Sequence, residues 1–296
     1  MTGAPASWLC RLILASGLLL PTGLPAQDRA GGVQANPLPL DVMSFNIRTA
    51  AGRDGENAWP FRKELVAETI RSYDPDLIAL QEVLSEQIEF LERALPEHRW
   101  LGVDRGLNGG NGLSEFTPIF YRYTELSPIK SGTFWLSDTP DGPSPGRRPS
   151  RIVTWARFYH LETGRQVYVF NTHFSLRRGE RQLRSAEQLA SRIAELPPGS
   201  SIVAMGDFNA IAETSDTWHV ATSRGLRDAW VMAEEQRGPA LTANGFAPPS
   251  EGWEGRIDWV LVGGPISVPS MQTVVYEKDG RFPSDHYPVV ARLVLE

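Results

Sequence analysis

What most constrains this chain is a series of short apolar runs, each closed or opened by a carboxylate, a carboxamide or an imidazole. "DVMSFNIR" ends near Asn46, "DLIALQEV" reaches Glu82, "QVYVFNTHF" carries Asn171 and His173, and "SIVAMGDFNA" carries Asp207 and Asn209. "RIDWVLV" starts at Asp258, and "FPSDHYPVVARLVLE" enters through Asp285 and His286. Runs this short and this apolar read as buried strands. Such strands deliver their loop-proximal side chains to a common rim of the sheet, where α/β proteins place ligands. Acids and amides gathered there are costly to desolvate unless a cation or a hydrogen-bond partner meets them. Hard oxygen donors of this kind suit Mg²⁺, Mn²⁺ or Ca²⁺. Singly, each residue has a plainer reading: Asn46 and "GDFN" as turn formers, Asp258 as a partner of Arg256, His173 as a structural histidine. Together and in this order they exceed what turn chemistry explains.

Between these runs the pattern changes period. "FRKELVAETIRSY" is helical and stops before "DP". Ser85 is placed to cap a second helix with Ile88, Leu91 and Leu95 on one face. "RGERQLRSAEQLASRIAEL" puts Leu183, Ala186, Leu189, Ala190 and Ile193 inward. "RWLGV", "TPIFYR", "GTFWLS", "IVTWARFYHL" and "MQTVVYE" supply further strands. No Pro- or Ser-rich linker follows residue 39, so 40–296 is expected to form one domain of mixed sheets with helices outside.

The N-terminus reads as an export signal. Arg11 precedes an apolar stretch from Leu12 to Leu20, a Pro-containing break and a small residue, Ala26. That stretch is too short for a bilayer, which needs about 20 apolar residues. Residues 1–26 are thus expected to be removed, 27–39 to be disordered, and the protein to be secreted or periplasmic. Cys10, the only cysteine, lies in the leader, so no thiol nucleophile remains. The formal net charge is −6, and removal of the leader with its single Arg11 makes it −7. An acidic chain is poorly built to hold a polyanion by counterion release alone.

The ordered set "MSFNIR", "LIALQEV", "FNTHFS", "MGDFNA", "RIDWVLV" and "PSDHYPVVARL" resembles the endonuclease/exonuclease/phosphatase superfamily over residues about 40–296. The resemblance implies a four-layer α/β (α+β) sandwich, two packed mixed β-sheets flanked by helices. It also implies cleavage of phosphate esters with a divalent metal, usually Mg²⁺. Carried over by motif, Glu82 resembles the principal metal ligand, with Asn46 beside it and Asp285 a second metal-side carboxylate. Asp207 and Asn209 resemble the pair that orients water and the scissile phosphate. His286 resembles the phosphate-contacting histidine, and Asp258 the carboxylate that holds its ring. "NTHF" points to the deoxyribonuclease and sphingomyelinase branches, and "GTFWLSDTPDGPSPGRRPSR" at 132–151 resembles a bacterial secreted branch. By the same likeness Glu115 is expected to hold His173, and Arg151 to contact phosphate, with Asn171 in support.

Whether Asp207 or a neutral His173 is the base stays open at this stage. So does the substrate: a phosphate ester, with nucleic acid or a phospholipid headgroup as candidates. A nonspecific nuclease is the best named activity. A sphingomyelinase, an inositol-phosphate phosphatase or an inactive binding protein on the same fold are the alternatives. Trp135, Trp253 and the arginines 147, 148 and 151 are candidate rim contacts. Arg177, Arg178 and Arg181 read as an exposed helix face. A monomer without a stable protein partner is expected.

Overall fold

The first strand shows how one segment serves two interfaces. The computed structural model describes residues 37–106, 114–142, 151–250 and 255–296. The expected leader, the polar segment as far as residue 36, Arg147, Arg148 and Trp253 lie outside them. In strand β1 (Leu38–Asn46), Leu40 and Val42 join one apolar core, whereas Met43 and Phe45 join another. A strand places successive side chains on opposite faces, so β1 is covered on both.

The remaining strands, in chain order, are β2 (Leu77–Gln81), β3 (His98–Leu101), β4 (Ile119–Arg122), β5 (Leu126–Trp135), β6 (Ile152–His160) and β7 (Gln166–His173). They continue with β8 (Ile202–Asp207), β9 (Arg227–Asp228), β10 (Glu235–Arg237), β11 (Asp258–Gly263), β12 (Ile266–Thr273) and β13 (Val289–Leu295). One sheet has the order β10-β12-β13-β1-β2-β4-β3 and the other β5-β6-β7-β8-β11-β9. Both mix parallel and antiparallel pairs, as expected. β1 begins two residues before the expected boundary, because Leu38 is buried and pairs with Leu295 on β13.

The helices are α1 (Trp59–Tyr73), α2 (Ser85–Ala94), α3 (Glu180–Ala194), α4 (Asp216–Thr222) and α5 (Ala229–Met232). Val66 and Ile70 of α1 and Ile88 and Leu91 of α2 cover the outer face of the first sheet. Ala186, Leu189 and Ile193 of α3 and Ala221 of α4 cover Phe170, Ala204, Trp259 and Leu261 of the second. Between the sheets lie Leu40, Val42, Ala79, Val169, Val203, Met205, Val260, Val262, Ala291 and Leu293. The layers are therefore helix, sheet, sheet, helix. α1 ends where Asp74 takes a left-handed conformation ahead of Pro75, which disfavours helix in the residue before it. Ser85 proves to be the first helical residue rather than the cap. Gln87 does that work instead, its Oε1 accepting from the N–H groups of Leu84 (3.0 Å) and Ala50 (3.1 Å).

Direction decides what meets at one end. β1 and β2 run parallel and β13 runs against β1, so two C-termini and one N-terminus share an edge. In the second sheet β7 and β8 run parallel and β11 opposes β8, giving the same arrangement. Gly206, one residue before that edge, has φ 156°, and a Cβ built there would lie 2.1 Å from the carbonyl oxygen of Thr172. Gly206→Ala should therefore wedge β7 from β8 and lower stability by about 2–5 kcal/mol, combining overpacking with backbone strain. A urea titration with unchanged denaturation midpoint would contradict this.

Candidate active site

Side-chain alternation extends the inter-sheet core into a polar end. On the inner face Val169 is followed by Asn171 and His173, Met205 by Asp207, Val42 by Ser44 and Asn46, and Val260 is preceded by Asp258. His173, Asp207 and Asp258 are direct neighbours across three strands. From the opposite sheet, Asn46 Nδ2 donates to Asp207 Oδ2 at 3.0 Å and lies 3.3 Å from Glu82 Oε1. The N–H of Asn209, whose φ is 51°, donates to Asp207 Oδ1 at 2.9 Å. Its Nδ2 donates to the carbonyl of Phe174 at 3.1 Å. His286 Nδ1 sits 2.8 Å from Asp258 Oδ2, and its Nε2 lies 4.0 Å from Asp207 Oδ2. Glu82 and Asp285 lie 3.9 and 3.7 Å from the guanidinium of Arg48, which Asp54 holds with contacts of 2.9 and 3.1 Å. The structure thus brings Asn46, Glu82, His173, Asp207, Asn209, Asp258, Asp285 and His286 to one place.

Other expectations need correction. Asn171 is fully buried one pleat below His173. Its Nδ2 donates to the carbonyls of Leu80 (2.8 Å) and Pro118 (2.7 Å), and its Oδ1 accepts from Gln81 (2.8 Å). Every partner is on the other sheet's side, so Asn171 is a tie between sheets and does not reach the rim. Glu115 does not hold His173 directly, because Arg151 stands between them. Arg151 Nη1 is 3.0 Å from Glu115 Oε2 and 2.8 Å from His173 Nδ1. Trp135 is buried, and its indole N–H donates to the carbonyl of Arg105 at 2.8 Å, which removes it as a stacking platform. Arg256 pairs with Asp228 (3.0 Å) and Glu213 (2.9 Å), leaving Asp258 to His286.

The charge states follow from these neighbours. Arginine only donates, so His173 Nδ1 must accept from Arg151 and the ring carries its proton on Nε2, 3.4 Å from Asp207 Oδ2. Burial, together with the positive charges of Arg151, His286 and Arg105, holds His173 well below its ordinary pKa and hence neutral. Burial also opposes a charged His286, but Asp258, Asp207 and Asp285 outweigh it and keep the ring protonated. Asp207 is pushed up to about 7 by burial and by Asp258 opposite, against the pull of His286, Asn209 N–H and Asn46. One carboxylate therefore faces two imidazoles in different charge states.

Which residues suit a divalent ion can be judged from donor chemistry. Glu82 and Asp285 present hard oxygens, and burial followed by the nearby Glu82 charge raises the pKa of Asp285 even though His286 opposes this. Two acids crowded in this way are relieved by a cation, and at present Arg48 is the cation between them. In Asn46 the oxygen accepts from the N–H of Arg48 at 3.0 Å, and the nitrogen faces the two carboxylates. It orients Glu82 and Asp207. Asp207, Asp258 and His286 also bring ligand-type atoms within 4.8 Å of one another. There, however, His286 and Asp258 bond each other, and a protonated imidazole repels a cation. Glu82 with Asp285 is the better seat.

Supports absent from the sequence reading secure these loops. Arg62, on α1 and only 2% exposed, donates to the carbonyls of Ile47, Arg48, Asn57 and Pro283. Its guanidinium carbon lies 5.3 Å from the Trp59 ring centroid and 5.7 Å from that of Phe246. It thereby joins the loop after β1 to the one that carries Asp285. Ser284 Oγ donates to the carbonyl of Asn46 at 2.7 Å. "FNIR" and "PSDH" contain these partners, but nothing in their spacing says that a helix arginine joins them.

A two-sheet sandwich with acids, amides and imidazoles converging at its seam defines a class of phosphoester-cleaving folds. The chain belongs to the endonuclease/exonuclease/phosphatase family, whose description matches residues 43–286. A family member from Bacteroides vulgatus superposes with TM-score 0.80 at 32% identity, covering 88% of this chain and 100% of that one. A mannosyl-6-phosphatase of Bacteroides thetaiotaomicron superposes with TM-score 0.77 at 30% identity, covering 86% and 99%. Rat nocturnin is 25% identical over 84% of this chain, which spans 63% of that relative's length.

If Asn171 is a tie, Asn171→Leu should lower stability by about 1–3 kcal/mol, since it strands buried carbonyls and the Gln81 amide. Turnover by the folded fraction should stay within about threefold on a model phosphoester. Loss of turnover with an unchanged melting temperature would return Asn171 to the site.

Proposed function

We propose that this protein is a divalent-metal-dependent hydrolase of small, soluble phosphoesters, sugar phosphates among them, with Mg²⁺ as the first candidate ion. The observation that carries the reading is Asp207, a carboxylate of raised pKa set beside one neutral and one protonated imidazole. In this reading a water oxygen forms a bond to phosphorus as the ester P–O bond breaks in line with it. Asp207 accepts the proton lost by the water, because the only free lone pair of His173 is taken by Arg151. The protonated His286 supplies a proton to the departing alkoxide, and Asp258 holds its ring. His173 and Asn209 fix the two oxygens of Asp207. A divalent ion held by Glu82 and Asp285 would offset negative charge on the phosphate and the leaving oxygen.

The small-substrate reading is supported by the acidic balance of the chain, −6 overall, and by the 30% identity to a mannosyl-6-phosphatase whose length it covers almost entirely. A second reading, a nonspecific nuclease, draws on Leu176, Arg177 and Arg178, which lie in an exposed loop ahead of α3 and not on the expected helix face. Gln182 ties that loop to Asn209, donating to the carbonyls of Ser175 (2.8 Å) and Asn209 (2.7 Å). Export to the periplasm or medium belongs to the same proposal and rests on the leader-like residues 1–26. N-terminal sequencing of exported protein should begin near Gln27.

A panel of p-nitrophenyl phosphate, sugar phosphates, bis-p-nitrophenyl phosphate, inositol phosphates, sphingomyelin, RNA and plasmid DNA tests the substrate reading. Sugar phosphates should give the highest kcat/KM; plasmid nicking as the dominant activity would favour the nuclease. EDTA should abolish turnover and Mg²⁺ restore it, and EDTA-resistant hydrolysis would overturn the metal dependence. Asp207→Asn and His286→Gln should each lower kcat by about 10²–10⁴-fold, the usual worth of a general base or acid. A variant that keeps near-native kcat would exclude that residue from proton transfer.

A further inference from the structure

Glu115 holds two arginines. Arg151 approaches Oε2 at 3.0 Å, and Arg105 approaches Oε1 at 3.2 Å. Arg105 was not expected from the sequence, where "VDRG" follows a strand without any motif. Its backbone is fixed on both sides: its N–H donates to the carbonyl of Glu115 at 3.1 Å, and its carbonyl accepts from the indole of Trp135 at 2.8 Å. The side chain is therefore delivered to a set position beside the site.

Its guanidinium is held there from one side, Nη2 lying 3.2 Å from Glu115 Oε1. The side chain is only 22% exposed, and its Nε is shut off from solvent with no hydrogen-bond partner among the described residues. Burial lowers the pKa of Arg105, with the positive charge of Arg151 acting the same way, although Glu115 and Glu82 favour its charge. A donor taken out of water without an acceptor costs free energy; since Nε faces no solvent, an incoming oxyanion would meet the guanidinium through its Nη groups, on the part of the side chain that stays exposed. The direction of its field is also informative. Arg105 feels the charge of Glu82, and His173 feels the charge of Arg105, and these two residues border the reacting centre from opposite sheets. With His173 neutral, the two guanidiniums and the one carboxylate of the Arg105–Glu115–Arg151 group sum to one net positive charge. Without Arg105, Glu115 would cancel Arg151 and the group would be neutral.

That difference matters for one distinction among phosphoesters. A diester carries one negative charge and two non-bridging oxygens, whereas an ionised monoester carries two charges and three such oxygens. We infer that Arg105 is a specificity-determining residue which, with Arg151 on the shared Glu115, selects terminal phosphomonoesters over phosphodiesters. This rests on the reading of the site as a phosphoester hydrolase. The arginine fork suits an oxygen-rich terminal phosphate better than a point charge on a flexible stem does.

The experiment compares the Mg²⁺-loaded native enzyme with Arg105→Met and Arg105→Lys. kcat/KM is measured on p-nitrophenyl phosphate and on bis-p-nitrophenyl phosphate, and binding of inorganic phosphate is followed by calorimetry. In Arg105→Met the monoester value should fall about 10–100-fold, the worth of one or two charge-assisted hydrogen bonds. The monoester-to-diester ratio should fall at least tenfold, and phosphate binding should weaken to match. Arg105→Lys should recover part of the ratio, and it carries the test should the Met variant fail to fold. Equal losses on both substrates, or an unchanged ratio, would overturn the assignment. If the native enzyme hydrolyses neither substrate, the hydrolase reading fails on its own. Phosphate binding then still decides the matter: affinity unaltered by both substitutions removes Arg105 from the phosphate subsite, and weakened affinity keeps it there.

Discussion

A carboxylate buried at the seam of two sheets is the constraint on which the rest of this structure depends. Asp207 is 1% exposed, and a charge so placed persists only if hydrogen bonds and opposite charge replace the lost water. Asn46 crosses from the other sheet to meet one oxygen, and the Asn209 N–H meets the other. The left-handed turn at Asn209 and the close strand approach at Gly206 are both needed to bring this about. Features that look local in the sequence therefore serve one buried charge.

The two imidazoles beside Asp207 differ because their second nitrogens meet opposite partners. His286 Nδ1 faces the carboxylate Asp258, and His173 Nδ1 faces the guanidinium Arg151. The first partner stabilises the imidazolium; the second excludes it. The expected pair of carboxylate–imidazole dyads would have made both rings alike. With Arg151 interposed between Glu115 and His173, they are different, and Glu115 is released to organise arginines.

How much of this was legible follows from the reach of each signal. Strand ends are local, so the apolar runs placed Asp207, Asp258, Asp285 and His286 at the rim, and the alternation that buries Val169 and Met205 also points His173 and Asp207 inward. The same alternation misled at Asn171, because period two fixes the face of a strand and not the depth along it. Arg62 and Arg105 were illegible for another reason. Long flexible side chains find partners that no motif announces, as Arg62 does with the carbonyl of Pro283 and Arg105 does with Glu115. Backbone carbonyls are the acceptors in many of these contacts, and every residue offers one. Composition and spacing carry no trace of them.

The placement of Asn46 and Asp207 on different sheets has a consequence for assembly. Either half of the sandwich, however well its own strands had paired, would hold only part of the reactive constellation. Competence therefore requires the two halves to be docked. Disturbances that merely loosen the docked halves should silence the enzyme before they unravel either one.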